Sequence, residues 1–417
     1  MRLKRVVVTG IGALTPIGNS APLYWENLIA GTSGAGPITR FDASKFKTQF
    51  ACEVKGFDPN DFFDRKEARK LDPCTHYALV AADEAVKDSG IDLTKINPDR
   101  VGVIFGSGIG GLETFYNECV EFAKGDGTPR FNPFFIPKMI ADISAGHISI
   151  KYGFRGPNFT TVSACASSTN AMIDAFTYIR LGKADMIVTG GSEAAVNQAG
   201  VGGFNAMHAL STRNDSPSTA SRPFDLDRDG FVLGEGAGVV ILESLDSALA
   251  RGAKIYAEIV GGGMSADAHH ITAPHPEGLG ALNVMRSALE DAEMQASEID
   301  YVNVHGTSTP LGDVAETKAI QKVFGEHAYK LNISSTKSMT GHLLGAAGAI
   351  EAIASILAVK NDIVPPTINH FTDDPQLDSK LNFTFNKLEK RTVNAALSNT
   401  FGFGGHNASV VFRKFLP

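Results

Sequence analysis

The sequence predicts a duplicated α/β fold, in which two halves share one order of strands and helices and form layers with mixed sheets. Apolar β-branched runs end repeatedly in glycine clusters, as at RVVVTGIG and RVGVIFGSG. From about residue 255 the same pattern starts again with YAEIVGGG and DYVNVHG. Because a repeated series of strands and helices builds matching structural units, we expect two pseudo-twofold-related halves, residues 1–252 and 253–417.

Composition narrows the class of protein. The 417 residues are 43% hydrophobic and 20% charged, with a formal net charge of −7. This charge gives no reason to expect nucleic acid or an anionic membrane as a partner. The four cysteines form no C-x-x-C pair, so we expect reduced thiols in a cytosolic protein. The apolar run at 6–8 is too short for a signal peptide, and no run suggests a membrane span.

Strand and helix patterns alternate in the first part of the chain. We expect a strand at 5–10, a helix at 24–30, a helical region at 64–89 and a strand at 101–105. The stretch GIGALTPIG resembles a dinucleotide fingerprint, but Thr15 replaces its third glycine, which favours a plain strand-to-helix turn. The aromatic, proline-interrupted segment 131–143 fits the core, a dimer contact or a pocket wall.

The stretch 160–180 carries the first candidate for chemistry. Cys165 lies where a β-branched run becomes a helical pattern, whose apolar residues are Met172, Ile173, Phe176 and Ile179. The dipole and unpaired N–H groups of a helix start favour a thiolate. Cys165 therefore fits a nucleophile, although a buried structural cysteine fits the stretch equally well.

The remaining elements repeat this plan. Strands are expected at 185–190 and 239–242, a helix at 245–251 and an ordered loop at 199–238. In the second half, 332–360 reads as a short β-prone run, a turn and a long buried helix. In this alignment His342 falls at the helix start, near the place that Cys165 holds in the first half. Two buried helix starts that meet would bring these two residues together.

Three further motifs supply side chains for a site. HGTSTPLGD contributes His305, Thr307, Thr309 and Asp313, STKSMTGH contributes Lys337 and His342, and SNTFGFGGHN contributes Phe401 and Phe403. Two histidines, each at a strand end or a helix start, suit a catalytic set better than isolated histidines do. The glycine-rich loop can bring its N–H groups to a developing oxyanion, or its two phenylalanines can serve as core anchors.

Together these motifs resemble the elongating β-ketoacyl-acyl carrier protein synthases, condensing enzymes of the thiolase-like superfamily. The likeness extends from VVVTGIGALTPIG to GFGGHN. It implies a thiolase-like fold with α-β-α-β-α layers. It also implies that the cysteine takes an acyl chain from acyl carrier protein as a thioester. Malonyl-carrier protein then loses CO₂ and attacks that thioester, which gives a 3-oxoacyl chain two carbons longer, as in fatty-acid elongation. No cofactor is implied, since phosphopantetheine arrives on the carrier protein.

The resemblance also implies residue roles. Cys165 is the nucleophile, and His305 and His342 donate hydrogen bonds to the enolate oxygen. The N–H groups of Cys165 and Phe403 bind the acyl-transfer oxyanion. The residues that contact substrate are Ile109 at the end of the acyl pocket, Phe401, the gating Phe403, and Thr307 and Thr309 on the pantetheine arm. The residues that support the site are Lys337, its acidic partner Glu316, and Asp313. Asn303, Glu351, Ser398 and Asn399 match a monovalent-cation site in relatives, or form a hydrogen-bonded network.

Partners follow from the same resemblance. Acyl carrier protein is acidic, so a basic docking patch of Lys66, Arg69, Lys70 and Arg130 is expected. A homodimer is implied as well. His406 replaces the threonine of the commoner GFGGTN. The spacing of His269, His270 and His275 resembles a metal site only loosely, so no transition metal is expected.

Several alternatives stay open or are disfavoured. No cysteine follows Cys165, which disfavours a thiolase, and the sequence context of a papain-like cysteine is absent. An initiating synthase would carry Cys-His-Asn instead of Cys-His-His. A ketosynthase of a specialised polyketide or aryl-polyene pathway remains an alternative. So does an inactive partner subunit of a heterodimeric synthase, although the intact triad speaks against it.

Overall fold

A ten-stranded mixed sheet runs through the computed structural model, which describes residues 3–416. Its strand order is β10-β9-β13-β14-β8-β1-β7-β6-β4-β5. The strands are β1 Val6–Leu14, β2 Gly36–Pro37, β3 Phe50–Ala51, β4 Val101–Gly106, β5 Asn158–Thr161, β6 Met186–Glu193, β7 Gly236–Ser244, β8 Ala257–Ala266, β9 Tyr301–Asn303, β10 Asn332–Ser334, β11 Ile363–Val364, β12 Glu389–Lys390, β13 Ala395–Gly402 and β14 His406–Arg413. The pairs β2–β3 and β11–β12 form small separate sheets.

Helices lie between many of these strands along the chain. They are α1 Ala21–Ala30, α2 Arg65–Ala68, α3 Pro73–Asp88, α4 Leu112–Lys124, α5 Phe135–Met139, α6 Ile143–Tyr152, α7 Ser167–Arg180, α8 Gln198–Ala206, α9 Leu245–Ala250, α10 Leu279–Asp291, α11 Pro310–Phe324, α12 Lys337–Thr340 and α13 Ala347–Asn361. Short 3₁₀ turns precede α7 and α13, at Ala164–Ala166 and Leu344–Ala346.

The large sheet consists of two mirrored halves. Outward from the centre, the order β1-β7-β6-β4-β5 on one side corresponds to β8-β14-β13-β9-β10 on the other. In each half the inner pairs are antiparallel and the outer pairs parallel. The halves join where Val6–Val8 pairs antiparallel with 257–259. The predicted pseudo-twofold duplication is therefore confirmed at the level of strand order.

Helices form three layers around the two half-sheets. Helices α7 and α13 contact each other and strands of both halves, so they form the central layer. Helix α3 packs on β1 and β7, while α10 packs on β8 and β14, so each covers one outer face. This is the expected α-β-α-β-α arrangement, and it places the starts of both central helices between the two halves.

The first strand is longer than predicted. We expected a turn after residue 10, but β1 continues to Leu14 and pairs with β7 along its length. Its glycines allow α3 to approach closely, since a Cβ at Gly12 would lie 2.1 Å from the carbonyl oxygen of Ala81. Gly10 and Gly12 therefore serve helix–strand packing, in agreement with the low weight given to nucleotide binding.

Other boundaries also differ from the prediction. The helical region 64–89 is divided between α2 and α3, because Pro73 opens a new helix that the Asp72 side chain caps. The expected loop at 199–238 begins within α8. The helix was not predicted because its sequence, QAGVGGFNA, contains three glycines, which have low helix propensity.

Helix α13 is the most deeply buried helix of the central layer. The stretch Leu344–Asn361 has the length and hydropathy of a membrane span, contrary to our expectation that none does, yet 89% of it is buried inside the protein. Its small residues let it pack tightly against both half-sheets. A core helix that packs in this way accounts for the hydropathy.

Candidate active site

The two central helices begin with the same local geometry. Ala164 (φ 51°) precedes Cys165, and Leu344 (φ 49°) precedes Gly345, in the 3₁₀ turns before α7 and α13. Gly345 therefore mirrors Cys165 in the second half. The predicted match of His342 to that position was wrong by three residues, because the turn before the helix belongs to the repeated unit.

His342 nevertheless lies directly beside the cysteine. Its Nε2 is 3.0 Å from the Sγ of Cys165, within hydrogen-bonding distance. The ring of His305 is perpendicular to that of His342, with 5.2 Å between the ring centroids. All three side chains are buried and line one cavity. The fold thus brings together the three residues that the motifs suggested.

Burial keeps this trio uncharged. Burial raises the pKa of the Cys165 thiol to about 12, although the charge of Lys337 and the Phe403 N–H oppose this shift. Burial lowers the pKa of His342 and of His305 well below the usual value, and the charge of Lys337 adds to the effect. Burial thus acts against the thiolate expected at the helix start and favours the neutral thiol.

A backbone N–H group lies near the sulfur. The N–H of Phe403 acts to lower the pKa of the Cys165 thiol, against the larger effect of burial. Gly402 lies so close to Cys165 that a Cβ there would be 3.0 Å from the cysteine nitrogen. The glycine-rich loop between β13 and β14 therefore brings the two N–H groups to one place. Phe401, near the end of β13, packs 5.6 Å from the His305 ring, measured between ring centroids.

The buried lysine has a different partner from the one expected. The ammonium of Lys337 pairs with the carboxylate of Glu351, not with Glu316. Glu316 instead accepts the N–H groups of His305 (2.9 Å) and Gly306 (2.8 Å). Burial raises the pKa of Glu316 and that of Glu351 to about 7. Glu316 thus fixes the loop that carries His305, while Lys337 adds positive charge near the cavity.

Unpartnered polar atoms mark the suggested cation site. Asn303 and Ser398 are register partners on β9 and β13. Both amide atoms of Asn303, the Ser398 hydroxyl and Oε2 of Glu351 are buried without a hydrogen-bond partner in the protein. Asn399 instead bonds Glu316 and Ser409. Buried oxygens that lack donors suit a hard cation.

The cavity in front of the trio is large and mainly apolar. It has a volume of about 640 Å³. Ile109, Phe401 and Phe403 line it, as do Thr307 and Thr309, whose hydroxyl oxygens are 3.0 Å apart. Asp313 does not reach the cavity: it is fully buried and accepts the N–H of Phe224.

A shallow basic depression lies at the surface. Its lining consists of Arg65, Lys66, Arg69, Lys70, Asn132 and Phe134. Three of the four predicted docking residues therefore share one place. Arg130 is not part of that lining, and its guanidinium lies 3.9 Å from Asp126. The Lys70 ammonium lies 5.7 Å from the centroid of the Phe134 ring, so the depression combines positive charge with an aromatic surface.

Our reading of the sequence missed one buried carboxylate at the site. Glu193, the last residue of β6, accepts N–H groups from both the 108–110 loop and Gly345. The signal was present: a lone acidic residue follows the apolar strand and its Gly-Gly pair, where a carboxylate is costly unless it finds donors.

Comparisons with known proteins agree with this geometry. Residues 3–248 match the family model "Beta-ketoacyl synthase, N-terminal domain", and residues 256–371 match the C-terminal domain. The chain is 50% identical over 412 residues to 3-oxoacyl-[acyl-carrier-protein] synthase 2 of Synechocystis, covering 99% of this chain and 98% of the relative. It is 51% identical over 413 residues to the synthase of the same name from Staphylococcus aureus, covering 99% of each chain.

A solved structure shows the same fold. It contains a type II polyketide synthase acyl-carrier protein in complex with its ketosynthase bound to the hexaketide. The matched chain superposes with a TM-score of 0.90 at 33% identity, covering 99% of this chain and 100% of the other. Together with the family models and the two relatives, this agreement shows that the chain belongs to the β-ketoacyl synthase family and has its thiolase-like fold.

Proposed function

We propose that the protein condenses an acyl group, held as a thioester on Cys165, with malonyl-acyl carrier protein. The products are 3-oxoacyl-acyl carrier protein, two carbons longer, and CO₂. The observation that carries this proposal is the buried trio of Cys165, His342 and His305 around one large cavity. A thiol, two neutral imidazoles and backbone N–H groups are what thioester exchange and enolate formation require.

Acyl transfer comes first. The Cys165 sulfur attacks the thioester carbonyl of the acyl-carrier protein while its proton passes to Nε2 of His342, 3.0 Å away. The N–H groups of Cys165 and Phe403 bind the oxygen of the tetrahedral intermediate. The carbon–sulfur bond to the pantetheine arm then breaks, and the departing thiolate takes the proton from His342. Both imidazoles are neutral again afterwards.

Condensation follows in the same cavity. The malonyl group loses CO₂ as its carbon–carbon bond breaks, and the electron pair forms an enolate. Neutral His305 and His342 each donate one N–H to the enolate oxygen, His342 after its remaining ring proton has exchanged through solvent to Nε2, and their lowered pKa values suit this role. The enolate carbon forms a bond with the acyl carbonyl, the Cys165 sulfur leaves, and a proton from water restores the thiol.

Other residues hold this machinery in place. Glu316 fixes the backbone of His305, and the Lys337 ammonium, held by Glu351, places its charge near the histidines. Thr307 and Thr309 bind the pantetheine arm, and Ile109 closes the acyl end of the cavity. Asp313 supports the start of α11. Asn303, Ser398, Asn399 and Glu351 would hold a monovalent cation, with the unpartnered oxygens of Asn303, Ser398 and Glu351 as ligands.

Fatty-acid elongation is favoured over a specialised polyketide pathway. The chain is 50–51% identical to two relatives that are named 3-oxoacyl-[acyl-carrier-protein] synthase 2. Its identity to the polyketide ketosynthase is 33%. An inactive partner subunit is disfavoured, because such a subunit needs no aligned cysteine and histidines.

A product assay tests the proposed function. The protein is mixed with a saturated acyl-carrier protein and malonyl-carrier protein, and the carrier species are weighed intact. The expected product is a 3-oxoacyl-carrier protein that is two carbons longer than the starting acyl chain, with release of CO₂. Absence of this product across a series of acyl lengths, with correctly loaded carriers, would contradict the proposal.

The remaining assignments concern partners and setting. Acyl carrier protein docks at Lys66, Arg69 and Lys70, with Arg130 at the edge of this surface. The enzyme works in the cytoplasm and needs no cofactor beyond the pantetheine arm of its substrate. The chain divides into the halves 1–252 and 253–417, which the mirrored strand order supports.

A homodimer explains an exposed apolar patch. The patch contains Phe115, Phe122, Phe131, Ile136 and Ile140. The ring of Phe131 stacks on those of Phe122 and Phe135, with centroid distances of 5.3 and 5.4 Å. An exposed patch of this kind marks an interface. Sedimentation should give a dimer for the wild type and for Leu249→Asp, but monomer for Phe131→Asp; a monomeric wild type would refute the assignment.

A further inference from the structure

Glu193 binds the loop beneath the acyl pocket to the start of a central helix. Its Oε2 accepts the N–H groups of Gly108 (2.8 Å) and Gly345 (3.0 Å). Its Oε1 accepts those of Ile109 (3.2 Å) and Gly110 (3.3 Å). Four backbone donors thus converge on one fully buried carboxylate, as they do in backbone nests that bind anions.

The fit around the carboxylate is close. A Cβ at Gly108 or at Gly345 would lie 2.6 Å from Oε2 of Glu193. A Cβ at Gly345 would also lie 2.1 Å from the nitrogen of Gly108. The loop and the helix start therefore touch only because both positions are glycine, and the carboxylate fills the space between them.

This anion site is the pseudo-twofold counterpart of the acyl-transfer site. Gly345 holds in the second half the position that Cys165 holds in the first, and the residue before each has a positive φ. Cys165 lines the cavity, and in the proposed acyl transfer its backbone N–H binds the oxyanion. At Gly345 the corresponding N–H is occupied by the side chain of Glu193. The second half thus has backbone donors of the kind that bind an anion, but these donors already bind the Glu193 carboxylate.

Ile109 lies in the middle of the loop that Glu193 holds. Its N–H is one of the four donors, and its side chain lines the cavity that contains Cys165. Glycine flanks it at 108 and 110, so the loop has little intrinsic stiffness. The position of the Ile109 side chain therefore depends on what anchors its backbone.

We propose that Glu193 is a positioning residue that fixes Ile109 through the 108–110 backbone and so sets acyl-length selectivity. The inference rests on the proposed function, since it concerns the acyl chain on Cys165. Without the carboxylate, four donors lose their acceptor and the loop separates from α13. The Ile109 side chain can then move aside for longer acyl chains, and the preference for short over long acyl chains falls.

The test uses the near-isosteric variant Glu193→Gln in the full chain. Acylation of Cys165 is followed by intact mass, with carrier protein loaded with a short or a long saturated acyl chain. The readout is the ratio of the long-chain to the short-chain rate, which an overall loss of activity does not affect. We expect this ratio to rise at least about fivefold, which corresponds to about 1 kcal/mol. An unchanged ratio overturns the proposal, as does an equal loss for both chains.

A double-variant cycle tests whether the effect passes through Ile109. Ile109→Ala removes the side chain that Glu193 is proposed to position. Adding Glu193→Gln to Ile109→Ala should leave the ratio as it is in Ile109→Ala alone, because coupled residues are not additive. A full additional change in the double variant would show that Glu193 acts by another route.

Two further arms keep the outcome clear. Glu193→Asp keeps the charge but shortens the reach, so it should shift the ratio in the same direction by less, and it replaces Glu193→Gln if that variant does not fold. Wild-type protein that forms no acyl adduct at any chain length would refute the proposed function. Wild-type protein that forms the adduct, with an unchanged ratio in both variants, would refute only the role of Glu193.

Discussion

Single residues at the site are controlled by burial more than by local sequence. The thiol of Cys165 lies at a helix start, which on its own favours the thiolate. Loss of solvation acts in the opposite direction and raises its pKa to about 12. The sequence could identify the cysteine and both histidines as candidates, but it could not give their protonation, because burial depends on chain segments far away along the sequence.

The neutral thiol predicts how alkylation depends on pH. The thiolate is the reacting form, and a raised pKa means that its fraction keeps increasing with pH up to the pKa. The rate of alkylation of Cys165 by iodoacetamide should therefore rise about tenfold per pH unit from neutral pH to about pH 9. Peptide mass spectrometry separates Cys165 from the exposed Cys119. A rate that levels off below about pH 8 would show a stabilised thiolate instead.

Secondary-structure elements were predicted well where apolar periodicity is strong. Strands β4, β6 and β7 and the helix after Cys165 lie close to their expected positions. Errors arose where glycine or proline indicates a turn or loop but has another role in the structure. The three glycines of α8 suggested a loop in place of a helix, and Gly10 and Gly12 suggested a turn although they allow close helix–strand packing. The repeat was visible in the sequence. The match of Gly345 to Cys165 was not, because it depends on the 3₁₀ turn before each helix, which only the structure shows.

The packing of α3 on β1 gives a prediction at the scale of elements. Gly12→Ala would place a Cβ 2.1 Å from the Ala81 carbonyl oxygen, which forces the backbone apart. We expect a loss of about 1–3 kcal/mol in the free energy of unfolding, as for overpacked cores. Gly36→Ala, which meets nothing within 4 Å, is the control and should change it by less than about 0.5 kcal/mol. Equal effects in denaturant titrations would contradict this account.

The whole molecule derives its site from the duplication. Each half contributes a central helix start. Cys165 comes from the first half, while His305 and His342 come from the second. The family resemblance, the fold and the grouping of the three motifs could be reached from the sequence. The partner of Lys337 and the anion hole filled by Glu193 could not, because several side chains compete for each buried group and only their distances decide between them.

Recognition of the carrier protein is a property of the molecular surface. Lys66→Glu with Arg69→Glu reverses two charges in the basic depression. We expect KM for acyl-carrier protein to rise by about tenfold or more, with little change for a small acyl-pantetheine thioester, because surface charges steer and orient a charged partner. Lys95→Glu, on an exposed side chain outside that depression, serves as the control. Equal losses on both substrates would argue against docking at this surface.

The covalent state of Cys165 tests the central claim most directly. Wild-type protein incubated with acyl-carrier protein, without malonyl-carrier protein, should gain the mass of one acyl group, and peptide mapping should locate it on Cys165. Cys165→Ala should gain none, while His305→Ala should still be acylated, because the proposed acyl transfer uses Cys165 and His342 and not His305. An acyl group that persists in Cys165→Ala, or a wild type that is never acylated, would contradict the account.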